Sequence, residues 1–153
     1  MHHDNNRRLL ETLIDTVYDS LEGYRRASET ARSPQIKDAF TQQMARRRDT
    51  LDRLNQELVR QGGDLVTKGT LTGTLHQTWL AITDLFGDDD KTAVERVEEG
   101  EDYLAGKFEA ALEDDDLTPE TRAVITAAYA EIREGERLAD RLSLMAQGTF
   151  GRD

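Results

Sequence analysis

Apolar residues return every three or four positions along almost the whole chain, and nowhere over a useful length at every second position. A period near 3.6 lays one apolar stripe along a helix, whereas a half-buried strand needs a period of two, so the chain reads as all α. Leu10, Leu13, Ile14, Val17, Leu21, Tyr24, Ala27 and Ala31 form the first stripe, on a helix over about 6–32. Ile36, Phe40, Met44, Leu51, Leu54 and Leu58 form the second, over 34–61. Val94, Val97, Leu104, Phe108 and Ala111 or Leu112 mark a third long helix over 90–113, and Ile125, Ala128, Ile132, Leu138, Leu142 and Met145 a fourth over 119–147. Leu75, Trp79, Ile82 and Phe86 mark a short helix over 75–86.

The punctuation agrees with the stripes. The chain has two prolines, Pro34 and Pro119, each behind a good N-cap residue, Ser33 or Thr118. At the first helical position the missing N–H costs nothing, so both start helices. Gly62-Gly63 supplies the left-handed geometry that closes the second helix. Asp88, Asp89 and Asp90 favour the positive N-terminus of the third, whereas Glu113 to Asp116 oppose its C-terminal dipole and mark a solvated loop.

Four long helices of roughly 25 residues each span about 40 Å, matched as a bundle requires. Short loops at Ser33 and Asp116 force antiparallel hairpins, 6–61 and 90–147, and the stretch from Gly62 to Asp90 is long enough to run the length of the bundle. The expected architecture is a ferritin-like antiparallel four-helix bundle with one long crossover carrying a short extra helix. At 153 residues the whole chain is expected to form one domain.

Composition narrows the partners. The net charge is -11 and the pI about 4.7, which repels a phosphate backbone or an anionic bilayer, so nucleic acid and membrane are disfavoured. Residues 87–116 carry 13 acidic and three basic side chains, a balance of -10, while the rest is nearly neutral. A basic protein partner would therefore dock on the third helix, and a homo-oligomer is the other partner expected. The chain has no Cys, and no stretch approaches the roughly 18 apolar residues of a spanning helix, which points to the cytoplasm.

Polar residues that interrupt the stripes are the candidate site. Arg47 falls on the seam of the second helix and Glu101 on that of the third, each near mid-helix, and a buried Arg and carboxylate are tolerable only as a pair. An Arg47–Glu101 ion pair is expected. Ferritin-like metal proteins instead converge carboxylates and Glu-x-x-His motifs at this level. Glu22, Glu101, Glu131 and Glu134 are the carboxylates that could face inward, with Glu136 beside them, and four of them could hold iron or manganese. Arg47 in their midst supplies the compensating charge without a metal, so no cofactor is the preferred reading. His76 has no second internal His as co-ligand; capping or packing suits it, and Trp79 anchors the crossover. His2 and His3 bind metal adventitiously at most. Arg46-Arg47-Arg48, with Arg25 and Arg26, reads as an ion-pair network with Asp49, Asp52 and Glu57 rather than a basic patch. Nucleophile elbows, phosphate-cradling glycine loops and His-Glu-x-x-His are all lacking, so the enzymatic reading is the weaker one.

Glu22-Gly23-Tyr24, Gly62-Gly63, His76 with Trp79, Gly100-Glu101-Asp102, and Tyr129 with Glu131 and Glu134 follow in an order that resembles a bacterial ferritin-like four-helix-bundle family catalogued as a domain of unknown function. The resemblance runs from about Leu9 to Met145. It implies the bundle fold and a bacterial cytoplasmic setting with a stress-related role, and no established reaction. Relatives look to carry a His near the middle of the fourth helix, where this chain has Glu136. The functional expectation is a non-enzymatic bundle acting by self-association or partner binding, with a carboxylate-rich iron or manganese protein, an oxidase or store, as the alternative.

Overall fold

Cap chemistry sets the helix boundaries in the computed structural model, which describes residues 2–67 and 90–150 and, of these, the side chains of 4–67 and 90–146. The described residues form four helices and no strand: α1 (His2–Thr30), α2 (Pro34–Arg60), α3 (Asp90–Leu112) and α4 (Pro119–Phe150). The stretch 75–86, expected as a crossover helix, lies outside the described residues. Ser33 caps α2 in extended conformation, its hydroxyl accepting from the Ile36 N–H, and Thr118 does the same for Thr121 at the start of α4. Gly62 takes φ +91°, and the Gly62 and Gly63 N–H groups donate to Val59 and Leu58 carbonyls. This pair of bonds is the Schellman closure that satisfies the last carbonyls of α2. At the end of α3 the unfavourable acidic run is offset by Arg122, whose guanidinium donates to the Leu112 and Asp114 carbonyls.

Three loops fix the directions of the helices. Asp90 at the start of α3 accepts from the Arg32 and Ser33 N–H groups of the α1–α2 loop. At the opposite end, Asn6 of α1 donates to the Asp116 carbonyl and accepts from the Thr118 N–H of the α3–α4 loop. Hence α1 and α4 run one way and α2 and α3 the other, and the connection from α2 to α3 must cover the bundle's length. It starts back along the α1–α2 groove, where Val66 exchanges two backbone bonds with the Asn55 amide and its carbonyl also accepts from the Tyr18 hydroxyl. The helices touch in the cycle α1, α2, α4, α3, most extensively within each hairpin. Neighbours in that cycle are all antiparallel.

Buried positions alternate by three and four on every helix, the spacing of a left-handed bundle seam. On α4 the seam is Thr121, Ile125, Ala128, Ile132, Gly135, Ala139, Leu142 and Ala146. Met145, expected in the stripe, is instead 43% exposed, one position off this seam. Tyr24 and Phe40 meet edge to face, with ring centroids 5.9 Å apart, in the α1–α2 half of the core.

A buried polar layer as candidate functional site

Midway along the bundle all four seams turn polar or lose their side chain: Ser20 on α1, Arg47 on α2, Glu101 on α3 and Gly135 on α4 are buried at this level. Arg47 is the largest fully buried side chain among the described residues. Its Nη1 and Nη2 lie 2.9 and 2.6 Å from the two oxygens of Glu101, a bidentate fork, and Nη1 also donates to the Ser20 hydroxyl at 2.9 Å. Nε donates to Glu131 Oε1 at 2.7 Å. The second Glu131 oxygen accepts from the Gln43 amide at 2.5 Å, and the Gln43 carbonyl accepts from Arg46. Tyr24 donates its hydroxyl to Glu101 Oε2 at 2.7 Å, and its ring lies 5.6 Å from the Arg47 guanidinium carbon.

Gly135 makes the layer fit. A Cβ at that position would sit 2.0 Å from Glu101 Oε2 and 3.0 Å from Arg47 Nη2, so the carboxylate fills the space a side chain would take. Burial opposes the charge on Arg47, but Glu101 and Glu131 outweigh it and hold its pKa well above the ordinary arginine value. Glu101 is pushed above the usual carboxylate range by burial, against the pull of Arg47 and the Tyr24 hydroxyl. Burial, then the Glu101 charge, raise Tyr24 well above the usual phenol, so its proton stays and the hydroxyl remains a donor. The layer is a fixed scaffold in which one guanidinium is shared by two carboxylates.

The four carboxylates named as metal candidates do not converge. Glu101 and Glu131 meet on Arg47. Glu22 stands on the outer face of α1 against Arg25 and Arg26, because it lies two residues from both Ser20 and Tyr24 and two residues turn a helix to its opposite side. Glu134 is exposed: three residues after Glu131 rotate by about 300°, which carries it about 60° further out of the seam. No metal-holding group of three or more His, Cys, Asp or Glu occurs among the described residues. A cation at the centre would have to displace a guanidinium, so these donors do not fit one. Glu136 is turned towards α3 and Asp102, and is also bonded to Arg133. His76 and Trp79, and the side chains of His2 and His3, lie outside the described residues.

The expected arginine network also separates. Arg25 and Arg26 pair with Glu22, and Arg25 also with Glu29, but Asp49 and Asp52 form no ion pair with the arginines of α2, and Glu57 pairs with Arg60. Ser20, Gln43 and Gly135 escape a search for charged residues. Their signal is positional: each stands at a seam position where an apolar side chain is due.

The chain matches the family model described as Domain of unknown function (DUF2383) over residues 7–114, and so belongs to that family. No curated protein and no solved structure matches it. The family match covers α1 from residue 7, all of α2 and α3, and with them Ser20, Tyr24, Arg47 and Glu101, while Glu131 and Gly135 lie beyond it.

Proposed function

We propose that this DUF2383 member is a non-enzymatic, ferritin-like bundle of the bacterial cytoplasm that acts through its outer surface, by self-association or by binding a partner, in a stress-related role. One observation carries the reading: the guanidinium of Arg47 holds the centre of the bundle, and both carboxylates that reach the centre are consumed by it. A metal-storing or oxidising bundle needs inward carboxylate oxygens left over for its cations. Here the oxygens of Glu101 and Glu131 already accept from Arg47, Tyr24 and Gln43. The ferritin-like assignment is supported by the antiparallel neighbours and by the single long connection between α2 and α3. No helix among the described residues is long and apolar enough to cross a membrane.

Light scattering on the untagged protein, with affinity capture in its host, tests this. The expected result is an assembly larger than one chain or a stoichiometric protein partner, with no more than trace iron or manganese after loading. A strictly monomeric chain that retains no partner, or one that binds metal stoichiometrically and oxidises ferrous iron, overturns the reading.

A further inference from the structure

The groove between α2 and α4 holds a cavity of about 190 Å³ just outside the polar layer, with Glu131 shared between the two. Two matched stripes line it: Arg46, Asp49, Thr50 and Arg53 on α2, and Val124, Ala127, Ala128 and Glu131 on α4. Each stripe runs at i, i+3, i+4, i+7, one face of a helix. Because α2 and α4 are antiparallel, Arg46 stands at the Glu131 end and Arg53 at the Val124 end, with Asp49 and Thr50 facing the two alanines between. The short alanine side chains leave the space open. Its floor is firm, since Thr50 is 6% and Ala128 3% exposed.

The charges in this groove are not spent on one another. Several arginines elsewhere close an ion pair with an acid three or four residues away, as Arg25 does with Glu22 and Glu29, Arg60 with Glu57, Arg96 with Glu99 and Arg133 with Glu136, while others, such as Arg48 beside Asp52, do not. Asp49 has that spacing to both Arg46 and Arg53 and pairs with neither, and Arg53 has no ion-pair partner among the described residues. Arg46 gives one N–H to Gln43. The lining therefore offers an open cation at one end, an open carboxylate next to it, a hydroxyl and an apolar wall.

We infer that the α2–α4 groove binds a small zwitterion of the free amino acid class, its carboxylate on Arg53 and Thr50 and its ammonium on Asp49, with Glu131 held by Arg47 and Gln43 at the far end. Two cations and two carboxylates line the space, so a ligand of either single charge meets as much repulsion as attraction, whereas a dipolar one satisfies both ends. The short carbon frame rests on Ala127, Ala128 and Val124. The volume is well below the roughly 300–1,000 Å³ of pockets for drug-sized ligands, which suits a small ligand. This inference stands apart from the surface-assembly reading, because a monomer or an oligomer could equally carry the site.

Amide chemical shifts of the labelled full chain, titrated with L-alanine, acetate and methylammonium, test it. Alanine is expected to give saturable shifts at Thr50, Ala127 and Ala128 in the millimolar range or tighter, with each half-ligand weaker by at least about tenfold. Arg53→Gln and Asp49→Asn, both at exposed positions, should each weaken alanine by at least about tenfold, a loss equivalent to one charge-assisted contact. Ala127→Leu fills the groove from an exposed helical position and should abolish the shifts without changing the melting curve. Absence of any saturable shift, or acetate or methylammonium binding as tightly as alanine, overturns the inference.

Discussion

Two clusters of charge flank α3, and they differ in the sign of the neighbour and in their exposure to water. In the core Glu101 meets Arg47, fully enclosed, and each group has a fixed geometric role. At the outer edge of the α3–α4 seam Glu98 faces Asp140 and Glu136 faces Asp102, carboxyl against carboxyl, partly in water. Burial first, and then the hydrogen bond to the facing acid, push Glu98 and Glu136 each up to about 7. Glu95 and Asp102 add to the effect on Glu98; Glu101 adds to that on Glu136, and Arg133 opposes it. The contrast teaches where a charge can be left to solvent. In the centre no water can stand in for a lost partner, whereas at the rim solvent screens and a shared proton relieves the repulsion.

The largest test of that contrast removes the central cation. Arg47→Met leaves Glu101 enclosed without its counter-charge and should cost about 3–5 kcal/mol in urea unfolding. Adding Glu101→Leu to that variant removes the enclosed charge and should recover part of the loss, the remainder being the Tyr24 hydroxyl and Glu131 left without their partners. A cost below about 1 kcal/mol for the single change would show that the centre is as forgiving as the rim. Tyr24→Phe removes the hydroxyl that donates to Glu101 and should cost about 1.5–3 kcal/mol by the same measurement.

Gly135→Ala reads the space behind Glu101. In an unconstrained helix this change gains about 1 kcal/mol. Here the new Cβ collides with a carboxylate that Arg47 and Tyr24 hold in place, at an overpacking cost of about 1–3 kcal/mol, so the net is a loss of about 1 kcal/mol. A gain in melting temperature would show that Glu101 moves aside freely.

The smallest effect is at the rim and depends on pH. Glu98 and Glu136 have folded pKa values raised above the unfolded one, so the stability they contribute is fully present below the ordinary glutamate value and is lost as pH rises through about 7. Glu98→Gln with Glu136→Gln should therefore flatten the decline in melting temperature between pH 5 and pH 8, by an amount worth less than about 1 kcal/mol because these groups are solvent-screened. Equal slopes for variant and parent would mean that the rim pairs carry no such linkage.

Much of this architecture is legible along the chain. The caps at Ser33 and Thr118, the stop at Gly62-Gly63, and the seam positions of Arg47 and Glu101 follow from spacing alone, because a helix converts sequence separation into angle. That conversion is sensitive to one residue. It separates Glu131, which reaches Arg47, from Glu134, which faces water, and it puts Ala146 rather than Met145 on the seam. A loose stripe read from apolar residues blurs such distinctions, whereas the strict three-four alternation of buried positions resolves them.

Local sequence thus determined that four long amphipathic helices form, where the capped ends at Ser33, Gly62 and Thr118 fall, and that two charged residues lie on buried faces, since capping and amphipathicity act within one or two turns. The outer ends of α1 and α4, at His2 and Phe150, lie a few residues beyond the 6 and 147 expected. Only the packed bundle decided which charges meet. Glu101 reaches Arg47 because α3 and α2 lie across a common core and Gly135 of a fourth helix vacates the space between them, while Glu98 meets Asp140 because α3 and α4 present acids at one level. Those pairings join residues dozens of positions apart, and electrostatic partnership depends on distance in space, which no single helix's periodicity contains.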